Sequence, residues 1–446
     1  MSQLARLILV IVLLAGSLPA PSAVATSVVH NGAKATEVAT TASPVPATDA
    51  TSSCEPDGRQ ESGAIYRICM PAPDHWNGDL VVYAHGYVAP DEPVGIPEDQ
   101  LGVPGGPSLP QIVNMLGFAF ATTSYSTNGL AVREGVEDVR DLVDIFSETH
   151  RLPRRVYLVG ASEGGIITTL AVEKYPETFD GGLAACGPIG DFRRQVNNWG
   201  DFRTVFDYFF PDVIPGNPVD IPAEVIDNWE TEYAPRIKDA IWSDQQVTRQ
   251  LLRVTRAPTD RRDPESVETT VLNLLWYNVV ATRDGIAKLG GQPFDNMHRL
   301  YFGSDNDFRL NRRIQRFRAD QAALDEIEAY YETSGDLKSP LVTLHTTGDP
   351  IVPYWHVPLY RWKVFWKGAA LRHSNVPALR YGHCNFKASE VLVSFALLVL
   401  KVTGEELIGV ESVLPDASSR AEFLQLAEQH GALKMPSPEL EPSPTP

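Results

Sequence analysis

Four cysteines in 446 residues, a shortage of cations, and no apolar run approaching the ~20 residues of a membrane-spanning helix are the first features of this chain. Lys+Arg number 38 against Asp+Glu 56, a net charge of −18. That balance disfavours electrostatic capture by nucleic acid or by anionic membranes, both of which need basic patches. No internal repeat is evident. Ser304-Asp305-Asn306-Asp307 lacks the spaced glycine and terminal glutamate of a calcium loop, so no metal is expected. The composition, 43% hydrophobic and 21% charged, is that of an ordinary globular protein and excludes a disordered, collagen-like or coiled-coil chain. The length fits two or three domains, or one large domain with an insertion.

The N-terminus sets the expected compartment. Arg6 precedes nine apolar residues, Leu7 to Ala15, and small residues then lead to Ala23-Val24-Ala25. This reads as a secretory signal peptide over residues 1–25, with no membrane span left after cleavage. Leu14-Ala15-Gly16-Ser17 has no cysteine to carry a lipid. A secreted or cell-envelope location follows. There the four cysteines, Cys54, Cys69, Cys186 and Cys384, are expected to form two disulfides, with three connectivities open.

Residues 26–53 lack any period and read as a flexible leader, and 435–446, rich in Pro, Ser and Glu, as a disordered tail. Between them, residues 54–191 alternate strands (63–69, 79–84, 117–122, 155–159, 181–185) with helices (130–150, 163–175). Residues 338–434 resume with strands at 340–345 and 376–382 and an apolar helix at 387–402. Such alternation predicts an α/β fold, a mostly parallel sheet with helices on both faces. The stretch 192–337 has helical segments and many aromatics but no strand pairs, and reads as an inserted helical cap. The arginines 309, 312, 313, 316 and 318 are expected on one solvated helix face.

One motif carries chemistry. Gly160-Ala161-Ser162-Glu163-Gly164 is a G-x-S-x-G sequence where a strand runs into a helix. A sharp turn there projects the serine hydroxyl, and the helix N-terminus favours negative charge beside it. A nucleophilic serine also needs a base and a group that orients the base. Asp349 follows the strand 340–345 and His383 follows the strand 376–382, in the chain order serine, acid, histidine. His85 precedes the nucleophile, His345 lies inside a strand, and neither His356 nor His373 follows the last strand. Asp191 is the rival acid. Asp349 also suits a plain turn before proline.

On these residues the chain resembles the α/β-hydrolase superfamily from Cys54 to about Gly431, apart from the cap. Trp76-Asn77-Gly78-Asp79 through His85-Gly86-Tyr87, Thr122 to Gly129 and Tyr381-Gly382-His383-Cys384-Asn385-Phe386 are similar to a narrower set of secreted bacterial hydrolases. The resemblance implies Ser162 as nucleophile, His383 as general base and acid, and Asp349 as the carboxylate orienting the imidazole. It implies an oxyanion hole from the backbone N–H of Glu163 with one from Gly86 or Tyr87. Tannases and feruloyl esterases carry a cysteine before the serine and another beside the histidine. Here Ala161 precedes Ser162, so Cys186, at the end of the strand 181–185, is the expected partner of Cys384, leaving Cys54 with Cys69.

Substrate contacts are expected from His85, Tyr125, His356 and the cap residues Phe206, Phe209 and Phe210. The expected activity is hydrolysis of a small-molecule or polymeric carboxylic ester, an acyl-transfer chemistry that needs no cofactor. A capped exopeptidase, whose acids Glu224, Glu230 and Glu232 would hold a free amino terminus, is one alternative. A non-catalytic binding protein on the same scaffold is the other.

Overall fold

A computed structural model describes residues 53–102 and 107–433. The expected signal peptide, the leader up to residue 52 and the tail lie outside the described residues. A nine-stranded sheet forms the centre. Its strands are β1 (Ser53–Cys54), β2 (Gly58–Arg59), β3 (Ile65–Met70), β4 (Leu80–Ala84), β5 (Ala119–Thr123), β6 (Val156–Ala161), β7 (Gly181–Ala185), β8 (Leu341–Gly348) and β9 (His373–Tyr381). The order is β1-β3-β5-β4-β6-β7-β8-β9, with β2 paired to β3. The pairs from β5 to β9 are parallel, while β3 meets β5 and β1 antiparallel. All five residues of β4, Leu-Val-Val-Tyr-Ala, are buried. A strand covered on both faces has no polar side to alternate with, so it reads as an unbroken apolar run.

Helices α1 (Leu109–Met115), α2 (Val132–Thr149) and α3 (Glu163–Lys174) connect the first strands. Between β7 and β8 run α4 (Phe192–Phe209), α5 (Ala223–Asp227), α6 (Ala234–Ser243), α7 (Gln245–Thr255), α8 (Glu265–Trp276), α9 (Thr282–Lys288), α10 (Asp307–Arg313) and α11 (Gln321–Tyr330). This insertion has its own core, in which Phe206, Trp229, Tyr233, Ile237 and Leu275 pack together. Its ends belong elsewhere. Phe192, Ala323, Ile327 and Tyr331 join the apolar layer on the α2–α3 face of the sheet. A Trp276–Tyr277 step continues α8 into a π-helical turn, Tyr277–Ala281, before α9.

Past β8 come α12 (His356–Trp366), α13 (Ala388–Thr403) and α14 (Ala417–His430). The all-round apolarity of α13 has a direct cause. One side packs on the sheet, with Phe395 edge-on to Phe118 and Tyr157. Phe423 and Ala427 of α14 are buried in the same cluster. α12 and α14 are helices beyond those expected from the sequence pattern, and β9 begins at His373, three residues before the expected start at 376. It also overextended the arginine helix. α10 ends at Arg313, and the Arg316 guanidinium, beyond it, donates to the Asn296 carbonyl at 2.8 Å.

Candidate active site

Ser162 sits between β6 and α3 with φ 56° and ψ −118°, a conformation non-glycine residues rarely adopt. The turn holds because neighbouring backbone comes close on both sides. A Cβ at Gly160 would run into the Gly164 carbonyl, and one at Gly164 into the Ala84 carbonyl. The Ser162 N–H donates to Ala185 O at 2.9 Å, tying the turn to β7. Local strain of ~1–3 kcal/mol at such a position is sustained by the surrounding packing and aims the hydroxyl off the sheet.

His383, on the loop after β9, sets Nε2 2.8 Å from Ser162 Oγ and Nδ1 2.7 Å from Asp349 Oδ2. The other oxygen of Asp349 accepts the N–H groups of Ile351 and Val352, both at 2.9 Å. With one oxygen held by backbone, the second is left for the His383 imidazole at 2.7 Å, with His345 Nε2 behind it at 3.7 Å. The structure therefore brings together the three residues named from chain order, and such a chain lets a hydroxyl act as a nucleophile at neutral pH. Asp191, the rival acid, caps α4 by accepting from Arg194 N at 2.7 Å.

The N–H of Glu163 opens α3, where no intrahelical acceptor exists. Of the two other oxyanion candidates, Gly86 is corrected: its N–H already donates to Gln100 Oε1 at 2.7 Å. Of the two, the Tyr87 N–H remains the candidate to act with that of Glu163. Gln100, buried in a Pro- and Gly-rich stretch, also reaches Tyr87 O at 3.4 Å and so brackets the loop. Nothing in the sequence pattern marked it.

A cavity of about 60 Å³ opens at Ser162, lined by Tyr87, Glu163, Trp199, Tyr277 and Val352 among others. The hydroxyls of Tyr87 and Tyr277 are buried there without a hydrogen-bond partner. The Glu163 carboxyl accepts from Ala131 N at 3.0 Å, and burial pushes its pKa up to about 8. At neutral pH the cavity therefore presents uncharged polar groups.

The expected substrate contacts differ. His85 and Tyr125 are buried and do not line the cavity, their rings stacked at 4.0 Å. Tyr125 donates to His85 O at 2.9 Å, and burial lowers His85 to a pKa of about 4. Phe206, Phe209 and Phe210 pack in the insertion's own core. The residues of α4 that line the cavity are Phe192, Val196 and Trp199. They come from the first half of the helix, whose Phe192 joins the apolar layer on the sheet, whereas the aromatic-rich second half packs within the insertion.

His356 is fully buried: Nδ1 accepts from Gly190 N at 2.9 Å, and Nε2 lies 2.7 Å from Gln195 Oε1. Gln195 in turn donates to Ile351 O at 2.9 Å, so this pair braces the Asp349 loop. Glu224, Glu230 and Glu232 line neither this cavity nor the cleft beside Arg194 and Arg256.

Disulfides join Cys54 to Cys69 and Cys186 to Cys384. The second ties the loop of His383 to the end of β7. Cys186, Cys384 and His383 come close enough for metal binding. Sulfurs joined in a disulfide offer no thiolate, so the group is a poor ligand set.

The parallel sheet, the strained serine between β6 and α3, and an acid and histidine on the loops after β8 and β9 decide the architecture. The chain has the α/β-hydrolase fold. The Hydrolase_4 family model, described as serine aminopeptidase, S33, matches residues 130–260, a span that holds Ser162 but not Asp349 or His383. No curated protein matches the sequence. Among solved structures the chain is similar to feruloyl esterase B from Aspergillus oryzae, at 15% identity and TM-score 0.42, covering 78% of this chain and 79% of that one. Lipase A from Candida antarctica, in its closed state, gives 14% identity and TM-score 0.43, covering 84% of each chain. The acylaminoacyl peptidase of Pyrococcus horikoshii gives 11% identity and TM-score 0.40, covering 82% of this chain but 44% of that one. The present chain thus spans less than half the length of that peptidase.

Proposed function

We propose that the protein is an exported serine hydrolase that cleaves carboxylic esters bearing short acyl groups. The observation that carries this reading is the unbroken chain from Ser162 Oγ through His383 to Asp349. Ser162 Oγ attacks the ester carbonyl carbon while His383 Nε2 takes its proton, and Asp349 stabilises the resulting imidazolium. The carbonyl oxygen, now an anion, accepts hydrogen bonds from the N–H groups of Glu163 and Tyr87. Collapse of the tetrahedral intermediate expels the alcohol, which takes the proton from His383. Water, deprotonated by the same imidazole, then attacks the acyl-enzyme and releases the carboxylic acid and free Ser162.

The small cavity supports short acyl groups, since a cavity that admits benzene measures ~150 Å³. Export is supported by the apolar N-terminal run with its Ala-Val-Ala pattern and by two disulfides. Among the described residues, no helix is long and apolar enough to cross a membrane. The aminopeptidase description of the matching family model favours an exopeptidase as the second reading. It is the weaker one, because Glu163, the acid in the cavity, is held mainly uncharged at neutral pH and so makes a poor anchor for an ammonium group.

The test is a panel of p-nitrophenyl esters from acetate to palmitate. Turnover peaking at acetate to butyrate and lost in Ser162→Ala supports the reading. Wild-type turnover by a folded Ser162→Ala protein contradicts it, and preference for aminoacyl anilides would transfer the assignment to the exopeptidase.

A further inference from the structure

The chain from residue 350 to 389 contains no Asp or Glu, although the protein carries a net charge of −18. The same stretch holds six cations, Arg361, Lys363, Lys367, Arg372, Arg380 and Lys387. Three of them are matched: Lys363 to Glu332, Arg380 to Glu390 and Lys387 to Glu422. Arg361, Lys367 and Arg372 make no ion pair among the described residues. Asp336, on which Lys367 and Arg372 act only through space, is itself paired with Lys338 at 2.7 Å. A local positive field therefore exists on an otherwise acidic molecule.

α12 runs through this field. Its inner side buries Val357, Tyr360 and Val364 against the body of the protein. Its outer side should be polar in a helix that ends at water. Instead it presents Trp362, Phe365 and Trp366 at 60%, 59% and 68% exposure. They occupy positions i, i+3 and i+4, and their rings touch one another at centroid distances of 5.3–6.0 Å. Leu371, in the turn after α12, is exposed beside them in sequence. Together the three rings leave on the order of 400 Å² of apolar surface in water, the scale at which a patch marks an interaction site.

We infer that the outer face of α12 is a docking surface for an anionic lipid bilayer, with Trp362, Phe365 and Trp366 entering the headgroup boundary and Arg361, Lys367 and Arg372 meeting lipid phosphates. Tryptophan and phenylalanine flanked along the chain by Lys and Arg, with no acid in residues 350–389, are the groups such a boundary selects. The rings supply burial, and each cation adds roughly fivefold in partitioning at low salt. Net charge averaged over the whole chain hides this patch, because binding reads local charge within a Debye length. The inference is independent of the catalytic reading.

Co-sedimentation of the full chain with vesicles tests it, using equimolar phosphatidylglycerol and phosphatidylcholine against phosphatidylcholine alone. The wild-type chain is expected to pellet with the anionic vesicles, more weakly at high salt, and with a blue shift of tryptophan emission. The triple variant Trp362→Ser, Phe365→Ser, Trp366→Ser should bind at least about tenfold more weakly while keeping its circular dichroism and thermal transition. The variant Arg361→Gln, Lys367→Gln, Arg372→Gln should lose on the order of a hundredfold at low salt and its salt dependence with it. Both variants keep the N-terminal apolar run, so the difference reports the patch. Equal binding by wild type and either variant overturns the inference. So does equal affinity for neutral vesicles. A wild-type dimer made monomeric by the serine variant, with no vesicle binding, would assign the face to a second copy of this chain and also overturn it.

Discussion

Gln100 and Asp349 do comparable work on different groups. Asp349 uses one oxygen on backbone and one on His383, and Gln100 uses its amide to fix both ends of the Gly86–Tyr87 segment. Directional groups of this kind act through geometry. Gln100→Ala is expected to lower kcat by about 10–100-fold with little change in KM, less than the ~10²–10³ for outright loss of an oxyanion donor. Steady-state kinetics on a short ester checks it, and an unchanged kcat contradicts it. Glu163 offers a second test, through stability. Its folded pKa of about 8 lies above the ordinary 4.5, so the folded state keeps a proton that the unfolded chain releases between those values. Stability contributed by this group is therefore full below pH 4.5 and lost as pH rises to 8. Glu163→Gln should unfold with wild-type stability near pH 4 and be more stable above pH 8, by on the order of a few kcal/mol. Parallel denaturation curves across that range would contradict the assignment.

At the scale of elements, the cavity wall is assembled from two pieces that sequence patterns described poorly. One is the first half of α4, whose apolar residues 192, 196 and 199 line the cavity. The other is the π-helical turn after α8, which sets Tyr277 parallel to Trp199 at 5.1 Å. The strands, the serine turn and the order of acid and histidine were legible, because each is a local pattern: an apolar run, a small-residue turn, a loop after a strand. The pocket was not, because it depends on how the insertion folds back. Aromatic density pointed to Phe206–Phe210, yet those rings serve the insertion's own core. His85 and His356 were named for their chemistry, but both are buried and hydrogen-bonded in neutral form. Trp199→Ala is expected to enlarge the cavity and move the preferred ester at least two methylenes longer, read from the same ester panel. An unchanged optimum would mean that another surface measures the acyl chain.

For the whole molecule, the two halves of the sheet domain are separated in sequence by the insertion and joined again by chemistry. The Cys186–Cys384 disulfide closes a loop of 198 residues and ties the strand before the insertion to the loop that carries His383. Its pairing could be argued only once strand order was known, since spacing alone leaves three connectivities. Ser162, Asp349 and His383 likewise converge because β6, β8 and β9 run parallel and end at one edge. The central claim is that this convergence makes Ser162 a nucleophile activated by His383. Labelling with a fluorophosphonate, followed by peptide mass mapping, measures that directly. A single adduct on Ser162, formed rapidly in the wild type and at least about a thousandfold more slowly in a folded His383→Ala variant, is the predicted result. An adduct elsewhere, or labelling of Ser162 at the same rate without the imidazole, would contradict it.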